Sequence, residues 1–283
     1  MKNVALFNET FSIAKTSTYH LSLQLAHKFY SYCIVDSIRN RYVAIKHYVF
    51  ESDFIGKTYT EKVNFMLKND AFLNKNYKRV DFSFVTNRAT LVPFQLFDKE
   101  NLRNYFTFNQ QLFDYEEIHF NKIESAEANN IFAIPSEITT LLVNRFPEIK
   151  FYHQATPFIS NSIRIVNELS IKGQYIQVNI NPDFFEIIVI IHGKLILYNS
   201  FIYQTHSDIV YFILNILNQL NLKIELSEIY ISGDIEKKSD FTDLLKKVNL
   251  KSNFSSIKGG AIYGFADVPE HYFAVLLNLY RCE

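Results

Sequence analysis

Two stretches decide the reading of this chain: Tyr19-His20-Leu21-Ser22-Leu23-Gln24-Leu25 and Tyr175-Ile176-Gln177-Val178-Asn179-Ile180. In each, apolar side chains alternate with polar ones, the period-two pattern of a β-strand with unlike faces. A short turn follows both, Ala26-His27-Lys28 in the first case and Pro182-Asp183 in the second. Phe29-Tyr30 then opens one β-rich run, and Phe184-Phe185 opens another 155 residues on. Residues 29–35 and 184–191 therefore read as the return strands of two β-hairpins.

Working outward, the two surroundings continue to match. Residues 42–50 form a third strand after the turn Arg39-Asn40-Arg41, and residues 195–203 form one after His192-Gly193-Lys194. Helical spacing comes next in both. Over 54–68 it puts Tyr59, Val63, Met66 and Leu67 on one face; over 207–220 it starts from Ser207 as cap. Strands at 80–86 and 227–232 follow, and later helices at 136–145, capped by Ser136, and 240–248. A strand at 149–154 and a helix at 157–169 complete the first half; a helix from Pro269 to Tyr280 closes the second. The first half also holds a helix at 98–106 capped by Asp98 and strands at 116–123 and 130–134, the last stopped by Pro135. The repeated order strand-strand-strand-helix-strand-helix predicts an α/β chain of two mixed-sheet halves flanked by helices. Residues 1–170 make the first half, with an inserted helix–strand subdomain at about 88–125, and residues 171–283 make the second.

Composition narrows the function classes. Of 283 residues only 7 are glycine, where usual usage of about 7% would give about 20. Glycine-rich nucleotide loops are thereby nearly excluded. Lysine plus arginine and aspartate plus glutamate both total 29, so no net field draws nucleic acid or an anionic membrane. The N-terminal Met1-Lys2-Asn3-Val4-Ala5-Leu6-Phe7 lacks the long apolar core of a secretion signal. The most apolar run, 184–203, is broken by Glu186, His192, Gly193 and Lys194, so direct membrane insertion is not expected. Cys33 and Cys282 stand in no disulfide or metal pattern. A cytoplasmic protein is the expectation.

The duplicated hairpin-strand-helix order resembles the actin-like ATPase superfamily, whose fold is ribonuclease H-like. It is closest in character to the PilM-type pilus assembly proteins and the cytoplasmic part of type II secretion protein L. Asn130-Ile131-Phe132-Ala133-Ile134-Pro135 through Pro157-Phe158-Ile159, and the closing helix from Pro269, resemble segments of that branch. With Ala89-Thr90-Leu91-Val92-Pro93-Phe94-Gln95-Leu96-Phe97-Asp98, the chain resembles a bacterial family classed as a domain of unknown function with this fold.

The resemblance implies an Asp-x-Gly at the tip of each first hairpin, the aspartate orienting Mg²⁺-bound water and the glycine opening backbone N–H groups to phosphate. The positions fall at Gln24-Leu25-Ala26 and Asn179-Ile180-Asn181, where amides replace both carboxylates and both glycines are lost. An adenosine-side turn keeps one glycine in Ile231-Ser232-Gly233-Asp234, and Gly259-Gly260 lies farther on. The degenerate cleft positions are thus Gln24, Ala26, Asn179, Asn181, Gly233 and Asp234. Elsewhere there is no HExxH, GxSxG or P-loop, and the eight histidines form no metal pattern. Glu116-Glu117 point to opposite faces of a strand, and Lys75, Lys78 and Arg79 read as a solvated loop. We therefore expect no catalytic residue, metal or cofactor, and a role in protein–protein contact. The partner is another protein, a homodimer being among the forms admitted, with no nucleic acid bound. The alternative is a nucleotide-binding switch or weak kinase-like ATPase using the cleft.

Overall fold

The computed structural model describes residues 2–256 and 260–282. They form two compact units. The first holds residues up to Pro157 with 260–267 and 275–282; the second holds 158–256 with Val268–Ala274.

In chain order, the first unit begins with β1 (Val4–Phe7), β2 (Tyr19–Leu25), β3 (Phe29–Asp36) and β4 (Arg41–Val49). A single turn α1 (Ser52–Ile55), then α2 (Tyr59–Asn69) and β5 (Arg79–Phe84), come next. β6 (Ala89–Pro93), α3 (Leu102–Thr107), β7 (Glu116–Ile123) and β8 (Ala128–Pro135) follow, before α4 (Ser136–Arg145) and β9 (Lys150–His153). A six-stranded sheet runs β1-β4-β3-β2-β5-β9, and β6-β8-β7 form a separate antiparallel sheet. α5 (Ala155–Glu168) leads on to the second unit, β10 (Gln174–Ile180), β11 (Phe184–Ile191), β12 (Lys194–Ile202), α6 (His206–Gln219), β13 (Glu228–Gly233), α7 (Asp240–Lys247) and β14 (Lys251–Phe254). A 3₁₀ turn at Glu270–Phe273 precedes the closing helix α8 (Ala274–Leu279). The second sheet runs β12-β11-β10-β13-β14.

Strand for strand, β4-β3-β2-β5-β9 matches β12-β11-β10-β13-β14. The correspondence extends to register. Gln24 lies opposite Ser31, and Asn179 opposite Glu186, each pair 155 residues on. Both return strands slip register at the same place, between Ile34 and Val35 and between Val189 and Ile190. The duplication read from the alternating strands is present in the fold.

Packing explains the elements. Leu21, Leu23 and Leu25 from β2 join Phe82, Val63, Met66, Ile138 and Leu142 in one core; Val178, Ile187, Ile213, Ile231 and Leu245 build the other. Alternation in β2 predicts one solvated face, yet every residue of the strand is buried. The C-terminal segment covers the polar side, with His20 against the Tyr280 ring, the Cys33 thiol on the Leu276 carbonyl and the Tyr42 hydroxyl on that of Leu277.

Differences from expectation have local causes. The helix expected over 54–68 is interrupted by Gly56, and Thr58 restarts it. The Thr58 hydroxyl accepts from Glu61 N at 3.2 Å while the Glu61 carboxylate accepts from Thr58 N at 2.8 Å. Ser136 is the first helical residue of α4 rather than its cap, its hydroxyl bonded to the Tyr115 carbonyl at 3.1 Å. At α6 the Asp208 carboxylate accepts from Thr205 N, which places the cap two residues before Ser207. Glu116, on the edge strand β7, is held by Arg88 in a 2.6 Å ion pair. Short strands β1, β6 and β14 have no counterpart in the sequence reading.

Candidate functional site

In open α/β sheets ligands bind beyond the carboxyl ends of parallel strands. Those ends are Leu25, Phe84 and His153 in the first unit, and Ile180, Gly233 and Phe254 in the second. All six sequence-derived positions lie there. Gln24 and Ala26 sit together at the end of β2, while Asn179, Asn181, Gly233 and Asp234 sit together at the ends of β10 and β13. Gly259 lies outside the described residues.

At the first hairpin tip, Gln24 is buried between Ser31 of β3 and Ser83 of β5. Ala26 N donates to the Phe29 carbonyl at 2.9 Å, so its backbone closes the turn. From α2, Lys62 donates to the Ile55 carbonyl at 2.8 Å and stands 3.4 Å from His27 Nδ1, over the rings of Tyr59 and Phe50. Burial lowers the Lys62 pKa. Ser31 Oγ and His47 Nδ1 are 2.6 Å apart beneath.

At the second tip the missing carboxylate reappears on the facing strand. Glu186 occupies the position of Ser31 and is fully buried. Asn179 Nδ2 and Asn181 Nδ2 donate to one of its oxygens at 2.9 and 3.3 Å, and the Tyr198 hydroxyl donates to the other at 2.9 Å. Ser232 Oγ donates to Asn179 Oδ1 at 3.0 Å. Each amide group of Asn179 is therefore spent within the protein. Burial, and then the neighbouring Glu186, pushes the Tyr198 hydroxyl well above its ordinary pKa. Tyr203 donates to the Asn181 carbonyl at 2.8 Å. Burial, followed by Asp234 and Asp183, pushes Tyr203 up to about 12.

Gly233 has a structural reason to be glycine. Its φ is +93°, and a Cβ there would meet Ile180 N at 2.6 Å and the Ile180 carbonyl oxygen closer still. The close approach lets Asp234 N donate to the Ile180 carbonyl at 2.7 Å.

Glu186, Ser232, Tyr198 and Lys62 were not singled out by sequence. Glu186 carried a signal, being the one charged residue in the apolar run Phe184–Ile191. Lys62, inside an ordinary amphipathic helix, carried none. Two surface pockets lie elsewhere. One of about 420 Å³ involves Tyr77, Arg79, Arg145 and Ile149 at the amino ends of β5 and β9; one of about 470 Å³ involves Asn167, Lys172 and His192. Among the described residues no group of three or more His, Cys, Asp or Glu is placed to hold a metal ion. None of the described helices is long and apolar enough to cross a membrane.

Comparison with known proteins gives three findings. A family described as protein of unknown function (DUF3822) matches residues 8–248. A Bacteroides thetaiotaomicron protein, described as having an actin-like ATPase fold and unknown function, is similar with a TM-score of 0.80 at 24% identity. The match covers 97% of this chain and 100% of that one. A structure described as a PilM–PilN type IV pilus biogenesis complex is similar with a TM-score of 0.57 at 11% identity, over 92% of this chain and 97% of that one. No curated protein matches.

Proposed function

The chain belongs to the DUF3822 family and has an actin-like ATPase fold, and from that premise we propose that it is a non-catalytic member working through protein–protein contact. The observation that carries the reading is the state of Asn179. It stands where the resemblance places a Mg²⁺-orienting carboxylate, and its amide is taken up by Ser232 and Glu186. A neutral amide bound on both ends offers a poor ligand to a cation that prefers carboxylate oxygens and water.

Two further features support it. Gln24 gives the first tip no carboxylate either. Ala26 and Asn181 use their backbone N–H groups to close the hairpins, which withdraws them from a phosphate. On this reading the fold persists as a scaffold whose surfaces bind another protein. The similarity to a PilM–PilN type IV pilus biogenesis complex is in keeping with that role, since that structure is an assembly of proteins.

Two measurements test the proposal. Purified protein incubated with ATP and Mg²⁺ should release phosphate at the background rate. Millimolar ATP or ADP should leave the melting temperature unchanged, whereas a site with a dissociation constant a hundred times lower than the ligand concentration would add about 2.7 kcal/mol. Hydrolysis well above background that is lost on Asn179→Ala would overturn the reading in favour of a weak ATPase. A nucleotide-dependent stabilisation without hydrolysis would favour a switch.

A further inference from the structure

The cavity of about 420 Å³ lies at the amino ends of β5 and β9, the ends of the sheet opposite the hairpin tip of β2. The approach to β5 and the turn from α4 into β9 line it. Among the described residues of that lining, Lys78, Arg79 and Arg145 are basic and Glu148 alone is acidic. Arg79 is matched by Asp81, with Nη2 standing 3.0 Å from Oδ2 and Nε 3.0 Å from Oδ1. Arg145 has no carboxylate partner among the described residues. Its Nε donates to the Leu73 carbonyl at 2.9 Å and its Nη2 to the Lys75 carbonyl at 2.7 Å. Its Cζ lies 4.5 Å from the centre of the Phe146 ring. A guanidinium presents its N–H groups in a planar fork. The carbonyls and the ring fix this fork in place and leave its outer Nη1–Nη2 edge unspent. Burial lowers the Arg145 pKa, with Tyr77 opposing, so the charge is held at a cost and without a counter-ion.

We infer that this cavity binds the carboxylate of a small organic acid, held bidentate on the outer edge of the Arg145 guanidinium. A planar carboxylate matches a planar fork through two parallel N–H···O bonds. The charge balance favours a single negative charge. Asp81 offsets Arg79, and Glu148 offsets Lys78, which leaves Arg145 as the unmatched cation. A dianionic phosphate would face Glu148 without a second unmatched cation to offset it. The body of the ligand is apolar, because Tyr77, Phe146 and Ile149 supply the rest of the wall. The Tyr77 hydroxyl donates to the Phe72 carbonyl at 3.0 Å, which holds its ring in place. The volume falls within the roughly 300–1,000 Å³ of small-molecule sites. The inference is independent of whether the protein binds or hydrolyses nucleotide.

Ligand-observed NMR titrations of the full chain test it with benzoate, phenylacetate and phenylpropanoate, each beside its primary amide, and with inorganic phosphate. At least one acid should bind with a Kd of about 0.1–5 mM, and its amide about ten times more weakly or worse. Arg145→Lys keeps the charge but not the fork, and should weaken that acid about tenfold. Lys78→Glu, at an exposed position, keeps the fork and adds a repelling charge. It should weaken the acid several-fold and leave the amide unchanged, which tests the site even if Arg145→Lys fails to fold. Circular dichroism establishes which variants are folded. The inference is overturned if no acid binds below about 10 mM, or if the amides bind as tightly as the acids. It is equally overturned if phosphate binds more tightly than every acid, or if either folded variant binds the acid as the wild type does.

Discussion

Replacing Gly233 by alanine separates the two reasons a glycine can be kept at the end of β13. If the residue serves a nucleotide, Gly233→Ala should leave stability alone and alter ligand binding. If it serves strand packing, the cost appears in folding. A Cβ at this position would lie 2.6 Å from Ile180 N, against about 3.5 Å for an ordinary contact, so β13 must withdraw from β10 by roughly 1 Å. The displaced backbone would lose the 2.7 Å hydrogen bond from Asp234 N to the Ile180 carbonyl, worth about 1 kcal/mol. Holding alanine at φ +93° costs a further 1–2 kcal/mol or so. The overpacking itself adds about 1–3 kcal/mol. The expected loss is thus about 3–6 kcal/mol, seen as a fall of at least roughly 6 °C in melting temperature for a chain of this size. Urea denaturation followed by far-UV circular dichroism measures it. Gly173→Ala is the control, because a Cβ there meets nothing within 4 Å. A loss below about 1 kcal/mol for Gly233→Ala, no larger than that of the control, would refute the packing argument.

Other predictions follow from buried polar groups. His153 Nε2–H donates to the Thr86 carbonyl at 3.0 Å, and burial lowers its pKa to about 3. A histidine lowered on folding binds fewer protons folded than unfolded. Its contribution is therefore zero above about pH 6.5, and stability falls as pH drops from there toward 3, by about 1.4 kcal/mol per unit. His153→Gln should flatten the urea-midpoint profile between about pH 6.5 and 4.5; parallel profiles would contradict this. Asp70 accepts from Lys46 Nζ at 2.6 Å and from the Tyr32 and Tyr30 hydroxyls at 3.3 and 3.4 Å. Asp70→Ala should cost about 3 kcal/mol in chemical denaturation by leaving these groups without an acceptor, and a loss under about 1 kcal/mol would show that they find water instead. Burial pushes the Cys33 thiol far up, so a thiol-specific dye should label it in the unfolded chain and scarcely at all in the native one.

The legible part of the fold was the part governed by local periodicity. Hairpins β2–β3 and β10–β11 announce themselves through alternation, and Asp98 is a helix-start residue by chemistry alone. β1 could not be read, because four residues of Val-Ala-Leu-Phe become a strand only through the edge of β4. The second buried face of β2 was equally hidden, since the covering residues Leu276, Leu277 and Tyr280 arrive from the far end of the chain. At the candidate site, sequence located the two tips through the repeat. It did not reveal that the carboxylate missing at Asn179 stands across the strand at Glu186, because cross-strand pairing is a property of register and not of neighbours in sequence. Gly233 was assigned to an adenosine-facing turn, and its positive φ and contact with Ile180 supply a sufficient structural reason for the glycine.

The matched slips at Ile34/Val35 and Val189/Ile190 have a consequence for how the halves can be exchanged. A bulge bends its strand and sets which side chains beyond it face the core. Two sheets that bend at the same step from the hairpin tip present their tips with the same curvature. The hairpins are thus interchangeable parts in backbone terms, and what distinguishes them is the chemistry mounted on a common bracket: Gln24 over Ser31 in one, Asn179 over Glu186 in the other. Transplanting a few side chains between the brackets, rather than remodelling loops, is therefore the shortest route to giving one tip the character of its twin.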